Sequence, residues 1–155
     1  RGTGISDSRM AVKIAAVTKA LAINKPDTSD GLDVLGKIGG FEIGALAGVI
    51  LGAAANRCPV VLDGLNTTAA ALIATSLAPL SRQYLYASHL SGEPAHVTAL
   101  HYLGLNACIE MGICLGEAVG ASVVMELLAV SIKMLNQMET FTDARVSTQS
   151  SSRIR

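Results

Sequence analysis

At 155 residues, 50% of them hydrophobic and 15% charged, the chain fits one folded domain with an ample core and is not a disordered segment. Twelve basic and twelve acidic side chains leave a formal net charge of zero, which excludes the electrostatic footprint of a nucleic-acid or anionic-membrane binder. The aromatics, Phe41, Tyr84, Tyr86, Tyr102 and Phe141, are too sparse for a base-stacking platform.

The chain opens on Arg1-Gly2-Thr3-Gly4 without an initiator methionine. A glycine-rich loop is an unusual start for a domain, so the sequence reads as a fragment of something longer. Ser6 or Asp7 caps a predicted helix through Met10, Val12, Ile14, Val17 and Leu21 that ends before Asn24-Lys25-Pro26. A polar loop, Asp27 to Gly31, follows, and Asp30 or Asp33 starts a short helix through Val34 and Leu35. After Gly39-Gly40, Phe41 to Asn56 is expected to be a second long helix. Pro59-Val60-Val61-Leu62, closed by Asp63-Gly64, has the form of a buried strand of a parallel sheet. Asn66-Thr67-Thr68 is expected to cap a helix through Leu72, Ile73 and Leu77.

Tyr84 to Ser88 is the next strand, Ser88 to Gly92 a loop, and Glu93-Pro94 opens a helix that stops near Gly104, with proline in its favoured first turn. Ala107 to Cys114 is ambiguous, and the expectation leans to a short helix or mixed segment. The last helix is placed at 120–138, and 147–155 is read as a polar, mobile tail. The run Ile43 to Ala55 is shorter than the ~20 residues a helix needs to cross a bilayer. The segment after Glu117 is longer but is interrupted by Glu126 and Lys133, so no membrane span is expected. Cys58, Cys108 and Cys114 are odd in number and lack CxxC spacing, which supports neither a disulfide framework nor a zinc site and suits a cytoplasmic, reducing compartment.

Strands alternating with helices imply an α/β fold, an open, mostly parallel, Rossmann-like sheet flanked by helices. Ligands in such sheets bind beyond the carboxyl ends of the strands, which selects Asp63-Gly64 and Ser88 to Gly92 as the rim of a site. Gly36, Gly40, Gly44, Gly48 and Gly52 fall four apart, so the long helix carries a groove without side chains. That groove suits either tight packing inside the domain or a helix at a homodimer contact.

Glu117 stands isolated among Leu115, Gly116, Ala118 and Val119. A partly desolvated carboxylate would be held neutral to higher pH and would suit a general base; a carboxylate resting on a helix N-terminus fits the same spacing. Ser91-Gly92 before the Glu93-Pro94 helix start offers a hydroxyl and free amides to a phosphate, or simply a cap. Arg1 to Gly4 is a weaker anion loop that Lys13 could reach, unless Lys13 is an ordinary exposed helical lysine. No Walker loop and no Gly-x-Ser-x-Gly elbow occurs, and the spacing of His89, His96 and His101 suggests no metal.

Asp33-Val34-Leu35-Gly36-Lys37-Ile38-Gly39-Gly40-Phe41-Glu42, Ala47 to Ala54, Pro59-Val60-Val61-Leu62-Asp63-Gly64, Ser88-His89-Leu90-Ser91-Gly92-Glu93 and Leu115-Gly116-Glu117 together resemble, in order, the carboxy-terminal half of the nicotinate-nucleotide:5,6-dimethylbenzimidazole phosphoribosyltransferases. The resemblance runs from Arg1 to about Val146. It implies transfer of phosphoribose from nicotinate mononucleotide to a nitrogen of dimethylbenzimidazole, giving α-ribazole phosphate and nicotinate, a step of cobalamin lower-ligand synthesis. It also implies that Glu117 is the general base, that Leu115 lines the acceptor-base pocket, and that Lys13, Ser91, Asp63 and Gly64 lie around the nucleotide phosphate. No cofactor or metal is implied. The resemblance further implies a homodimer of subunits built from a large α/β domain, to which 1–146 would belong, and a small helical domain that the helix at 120–138 would join.

Two departures limit the expectation. The family reads Gly-Glu-Gly-Ser/Thr-Gly where this chain has Gly116-Glu117-Ala118-Val119-Gly120, and the family's amino-terminal half is missing. This chain alone is therefore expected to have little or no transferase activity. The alternative is a non-catalytic paralogue or isolated fragment acting as a dimerising or nucleotide-binding module.

Overall fold

The computed structural model describes residues 6–113 and 115–145. It divides into two compact units, one through Val124 and one from Met125 onward. The first unit begins with helices α1 (Asp7–Asn24), α2 (Gly31–Ile38) and α3 (Phe41–Ala55), followed by strand β1 (Val60–Leu62) and helix α4 (Leu65–Leu77). A 3₁₀ turn (Pro79–Tyr84) then leads into β2 (Leu85–His89), α5 (Pro94–Leu103) and β3 (Ala107–Ile109), and α6 (Val119–Gln137) starts in this unit and ends in the second.

The three strands form one parallel sheet in the order β1-β2-β3, the open α/β architecture expected from the alternation of elements. Val61 pairs with Tyr86, and Ala87 pairs with both Leu62 and Ala107. Central β2 is the buried strand: Leu85, Ala87, Ser88 and His89 are all inside, as a strand covered on both faces requires. The expected helix or mixed segment after Ala107 is instead β3. A three-residue apolar run has too little periodicity to choose between states, and here pairing to β2 decides, extended by the Leu90 amide donating to the Ile109 carbonyl at 3.1 Å.

Local chemistry accounts for the helix boundaries. Asp30 caps α2 by accepting from the Leu32 amide at 2.9 Å, and Pro94 occupies the first turn of α5. Gly104, at φ +63°, ends α5 in the left-handed conformation, and the Arg82 guanidinium donates to the Leu103 and Gly104 carbonyls. The cap of α4 is Gly64 rather than Asn66-Thr67-Thr68, which lie in its first turn. The Thr67 hydroxyl reaches back to accept from the Gly64 amide at 3.1 Å, the reciprocal half of a capping box.

The core lies where α3 and α4 pack on the sheet and on each other, around Ala47, Ile50, Leu62, Ala70, Ala71, Ile73, Ala74, Leu85 and Leu103. The fully buried alanines of α4 let neighbouring backbones approach closely. At Gly31 a Cβ would stand 1.9 Å from Ser76 Oγ, so the start of α2 presses directly on α4. The glycine groove of α3 behaves otherwise. A Cβ on Gly44 would stand 3.3 Å from the Leu35 side chain, but one on Gly48 or Gly52 would meet nothing within 4 Å, so among the described residues this stretch makes no close helix contact.

Cys58 and Cys108 are free and exposed; Cys114, the Arg1 to Gly4 loop and the polar tail lie outside the described residues. Among the described residues α6 is the one helix long and apolar enough, by length and composition, to cross a membrane. Glu126 and Lys133 lie within it. In the second unit the chain beyond α6 turns at Thr140, whose hydroxyl and amide both donate to the Asp143 carboxylate.

Candidate active site

A cavity of about 630 Å³ opens beyond the carboxyl ends of all three strands, the position ligands take in open parallel sheets. Asp63 to Thr67, following β1, form one side. Ser91 to Glu93, following β2, form another, and Ile113 with Leu115 to Ala118, following β3, close the third, with His89 at the base. The first turn of α4, the N-cap residue Glu93 of α5 and the approach to α6 thus converge on one space. Helix N-termini carry unpaired amides and partial positive charge, so this end of the sheet is built to receive an anion. Among the described residues the lining side chains contribute Asp63, Glu93 and Glu117 and no lysine or arginine, which also favours a ligand with a cationic part.

Asp63 holds the parts together. One carboxylate oxygen accepts from the Ala121 amide at 3.0 Å, tying the first turn of α6 to the end of β1, and the same oxygen stands 3.9 Å from His89 Nδ1. Buried Ser88 donates to the Asp63 carbonyl at 2.9 Å. Gly120 makes this closure possible, because a Cβ there would meet His89 Nδ1 at 2.0 Å. A second chain of contacts runs through His96, which is 1% exposed. Its Nδ1 accepts from the Ser91 amide at 3.1 Å, and its Nε2 lies 3.0 Å from Thr68 Oγ1. Burial, with the nearby His89 adding to it, pushes the His96 pKa below the ordinary imidazole value.

Ser91 Oγ is buried and, among the described residues, has no hydrogen-bonding partner. A buried hydroxyl left unpaired is costly, and Ser91 is one of the residues lining the cavity. Glu117 and Ala118 both adopt positive φ, +61° and +62°, a region disfavoured for side chains other than glycine. This turn aims the Glu117 segment at the cavity just before α6 begins.

A family model described as phosphoribosyltransferase matches residues 1–146. The chain belongs to this phosphoribosyltransferase family. It is 54% identical over 147 residues to a nicotinate-nucleotide–dimethylbenzimidazole phosphoribosyltransferase of Desulforudis audaxviator, covering 95% of this chain and 42% of that relative. The Desulforamulus reducens protein of the same name is 51% identical with the same coverage. The crystal structure of CobT from Thermus thermophilus superposes with a TM-score of 0.89 at 40% identity, covering 96% of this chain and 44% of that one. The chain therefore spans less than half the length of these phosphoribosyltransferases.

Of the residues singled out from the sequence, Asp63, Gly64, Ser91, Leu115 and Glu117 all line the one cavity. Lys13 does not; it is an exposed residue of α1. The expected desolvation of Glu117 is also absent, since Leu115, Glu117 and Ala118 are exposed. Its apolar sequence neighbours point to solvent in this turn and do not cover the carboxylate. Sequence reading missed His89, His96 and Thr68, which meet across elements, His96 with Thr68 and His89 with Asp63. The available signal was two histidines flanking a strand-end loop, weighed only as metal ligands.

Proposed function

We propose that this chain forms the nucleotide-phosphate side and the general base of a phosphoribosyl transfer site, the parent reaction carrying phosphoribose from nicotinate mononucleotide to dimethylbenzimidazole or a related base. The observation that carries this reading is the convergence of Asp63-Gly64, Ser91 and Leu115-Gly116-Glu117 on one cavity at the strand ends, in a chain with these relatives. Amides of the α4 first turn and the unpaired Ser91 hydroxyl receive the phosphate. The acidic lining suits the positively charged pyridinium of the donor.

In the transfer Glu117 accepts the N–H proton of the benzimidazole as its other nitrogen attacks the anomeric carbon. The glycosidic C–N bond breaks, its electron pair neutralises the pyridinium nitrogen, and nicotinate leaves. Attack from the opposite face inverts the anomeric centre and gives α-ribazole phosphate.

A homodimer belongs to this reading, supported by the open groove at Gly48 and Gly52 beside exposed Val49. So does membership of 1–146 in a large α/β domain, with the later part of α6 belonging to a small helical domain, supported by the unit boundary after Val124. The cysteine pattern supports a cytoplasmic setting.

Two proteins test the proposal: this chain alone, and a chimera in which it replaces the matching part of the Desulforudis audaxviator relative. The chimera should form α-ribazole phosphate from nicotinate mononucleotide and dimethylbenzimidazole, and the chain alone should not. A folded chimera that binds the nucleotide and makes no product would refute the enzymatic reading and leave a nucleotide-binding module, a reading favoured by the left-handed Ala118.

A further inference from the structure

The hydrogen bonds around His96 have only one consistent direction. The Ser91 amide can only donate, so His96 Nδ1, 3.1 Å away, must be unprotonated. The neutral ring then carries its proton on Nε2 and donates it to Thr68 Oγ1 at 3.0 Å. The Thr68 hydroxyl in turn donates to the Gly64 carbonyl at 2.9 Å, which can only accept. A relay that starts on an obligate donor and ends on an obligate acceptor leaves no alternative tautomer. Thr68 and His96 are buried, at 0% and 1% exposure, so water does not compete for these bonds.

The two ends of the relay, Ser91 and Gly64, lie on separate loops, the β2–α5 and β1–α4 connections, and both line the cavity. We propose that His96 is a positioning residue: in its neutral Nε2–H form it fixes the Ser91 loop relative to the Gly64 loop, and so sets the width of the phosphate end of the site. This rests on the reading of the cavity as a phosphate site, although the coupling of the loops can be measured without a ligand. Protonating Nδ1 would set an N–H against the Ser91 N–H and break the relay at its first bond. The titratable groups around the ring are His89 on β2, 6.4 Å away between ring centroids, Glu93 at the start of α5 and Asp63 at the end of β1; α4 presents only the neutral Thr68.

The test uses the full chain, isotope-labelled for NMR, with His96→Asn and His96→Gln. Asparagine places an amide oxygen near the Nδ1 position and can keep the Ser91 bond, whereas glutamine reaches the Nε2 position and keeps the Thr68 bond. The ring nitrogens of His96 should report an unprotonated Nδ1 and a protonated Nε2, and the Ser91 amide should shift with the His96 titration. Each variant keeps one bond and loses the other, so the bridge between the loops is broken in both and nicotinate mononucleotide binding should weaken roughly three- to tenfold in each, the scale of one neutral hydrogen bond. Both should also lose the His96 part of the pH profile, leaving the titration of the ligand's phosphate. A protonated Nδ1 at neutral pH, or a Ser91 amide indifferent to the His96 titration, would overturn the proposal, as would wild-type binding with an unchanged pH profile in either variant. If wild type fails to bind the nucleotide, the phosphate reading fails, and the tautomer and the Ser91 response alone decide whether His96 couples the loops.

Discussion

Replacing Ala118 by glycine should make the chain more stable, although glycine normally weakens a fold. Ala118 sits at φ +62° directly after Glu117 at +61°, and the left-handed conformation costs an L-residue about 1–2 kcal/mol because Cβ crowds the neighbouring carbonyl. Glycine removes that cost but gives the unfolded chain more freedom, worth about 0.4–1 kcal/mol. The difference is a net gain of roughly 0.5–1 kcal/mol. The side chain of Ala118 is exposed, so no buried packing is lost to offset it. Urea unfolding followed by circular dichroism measures the effect. At an m-value of about 2 kcal/mol/M, the midpoint of Ala118→Gly should rise by about 0.3–0.5 M with the slope unchanged. A midpoint that stays or falls would show that the turn is not strained as its backbone indicates.

Gly120→Ala should be strongly destabilising, by about 1–3 kcal/mol on the overpacking scale, because its Cβ would fall 2.0 Å from the buried His89 ring; a midpoint unchanged in urea would contradict that contact. Gly48→Ala should stabilise the monomer by up to about 1 kcal/mol, since its Cβ meets nothing within 4 Å. If that face packs on a second copy, light scattering should instead show the same substitution weakening self-association. His96 has a depressed pKa because it is buried. Its neutral form therefore contributes stability that is fully present above the unfolded value of about 6.5 and is lost as pH falls through the lower folded value. Urea midpoints compared at about pH 7.5 and about pH 5 should show that loss in wild type, and His96→Asn should lack this component.

Much of the architecture was legible because its signals are local. Asp30 announces α2, Pro94 opens α5 and Gly104 closes it, and the β-branched run before Asp63-Gly64 is a strand with a site at its end. The three-residue β3 was not legible: Ala107-Cys108-Ile109 has no periodicity of its own and becomes a strand only through its partner β2. The cap of α4 was misplaced because Thr67 acts backward onto Gly64 and does not cap its own helix start. Glu117 was expected to be covered because its sequence neighbours are apolar, but the left-handed turn exposes them together with the acid. The polar network was least visible, since Thr68 and His96 are 28 residues apart and Asp63 and Ala121 are 58 apart. Residue types along the chain cannot show pairings made by the sheet that brings the strand ends together.

Glu117→Gln in the chimera with the Desulforudis audaxviator relative tests the central claim most directly, because glutamine keeps the shape of the side chain and removes its ability to take a proton. Formation of α-ribazole phosphate should fall by at least ~100-fold, the scale of a lost general base, while nicotinate mononucleotide binding stays near wild type. Unchanged turnover with the same binding would contradict the assignment of Glu117 as the base.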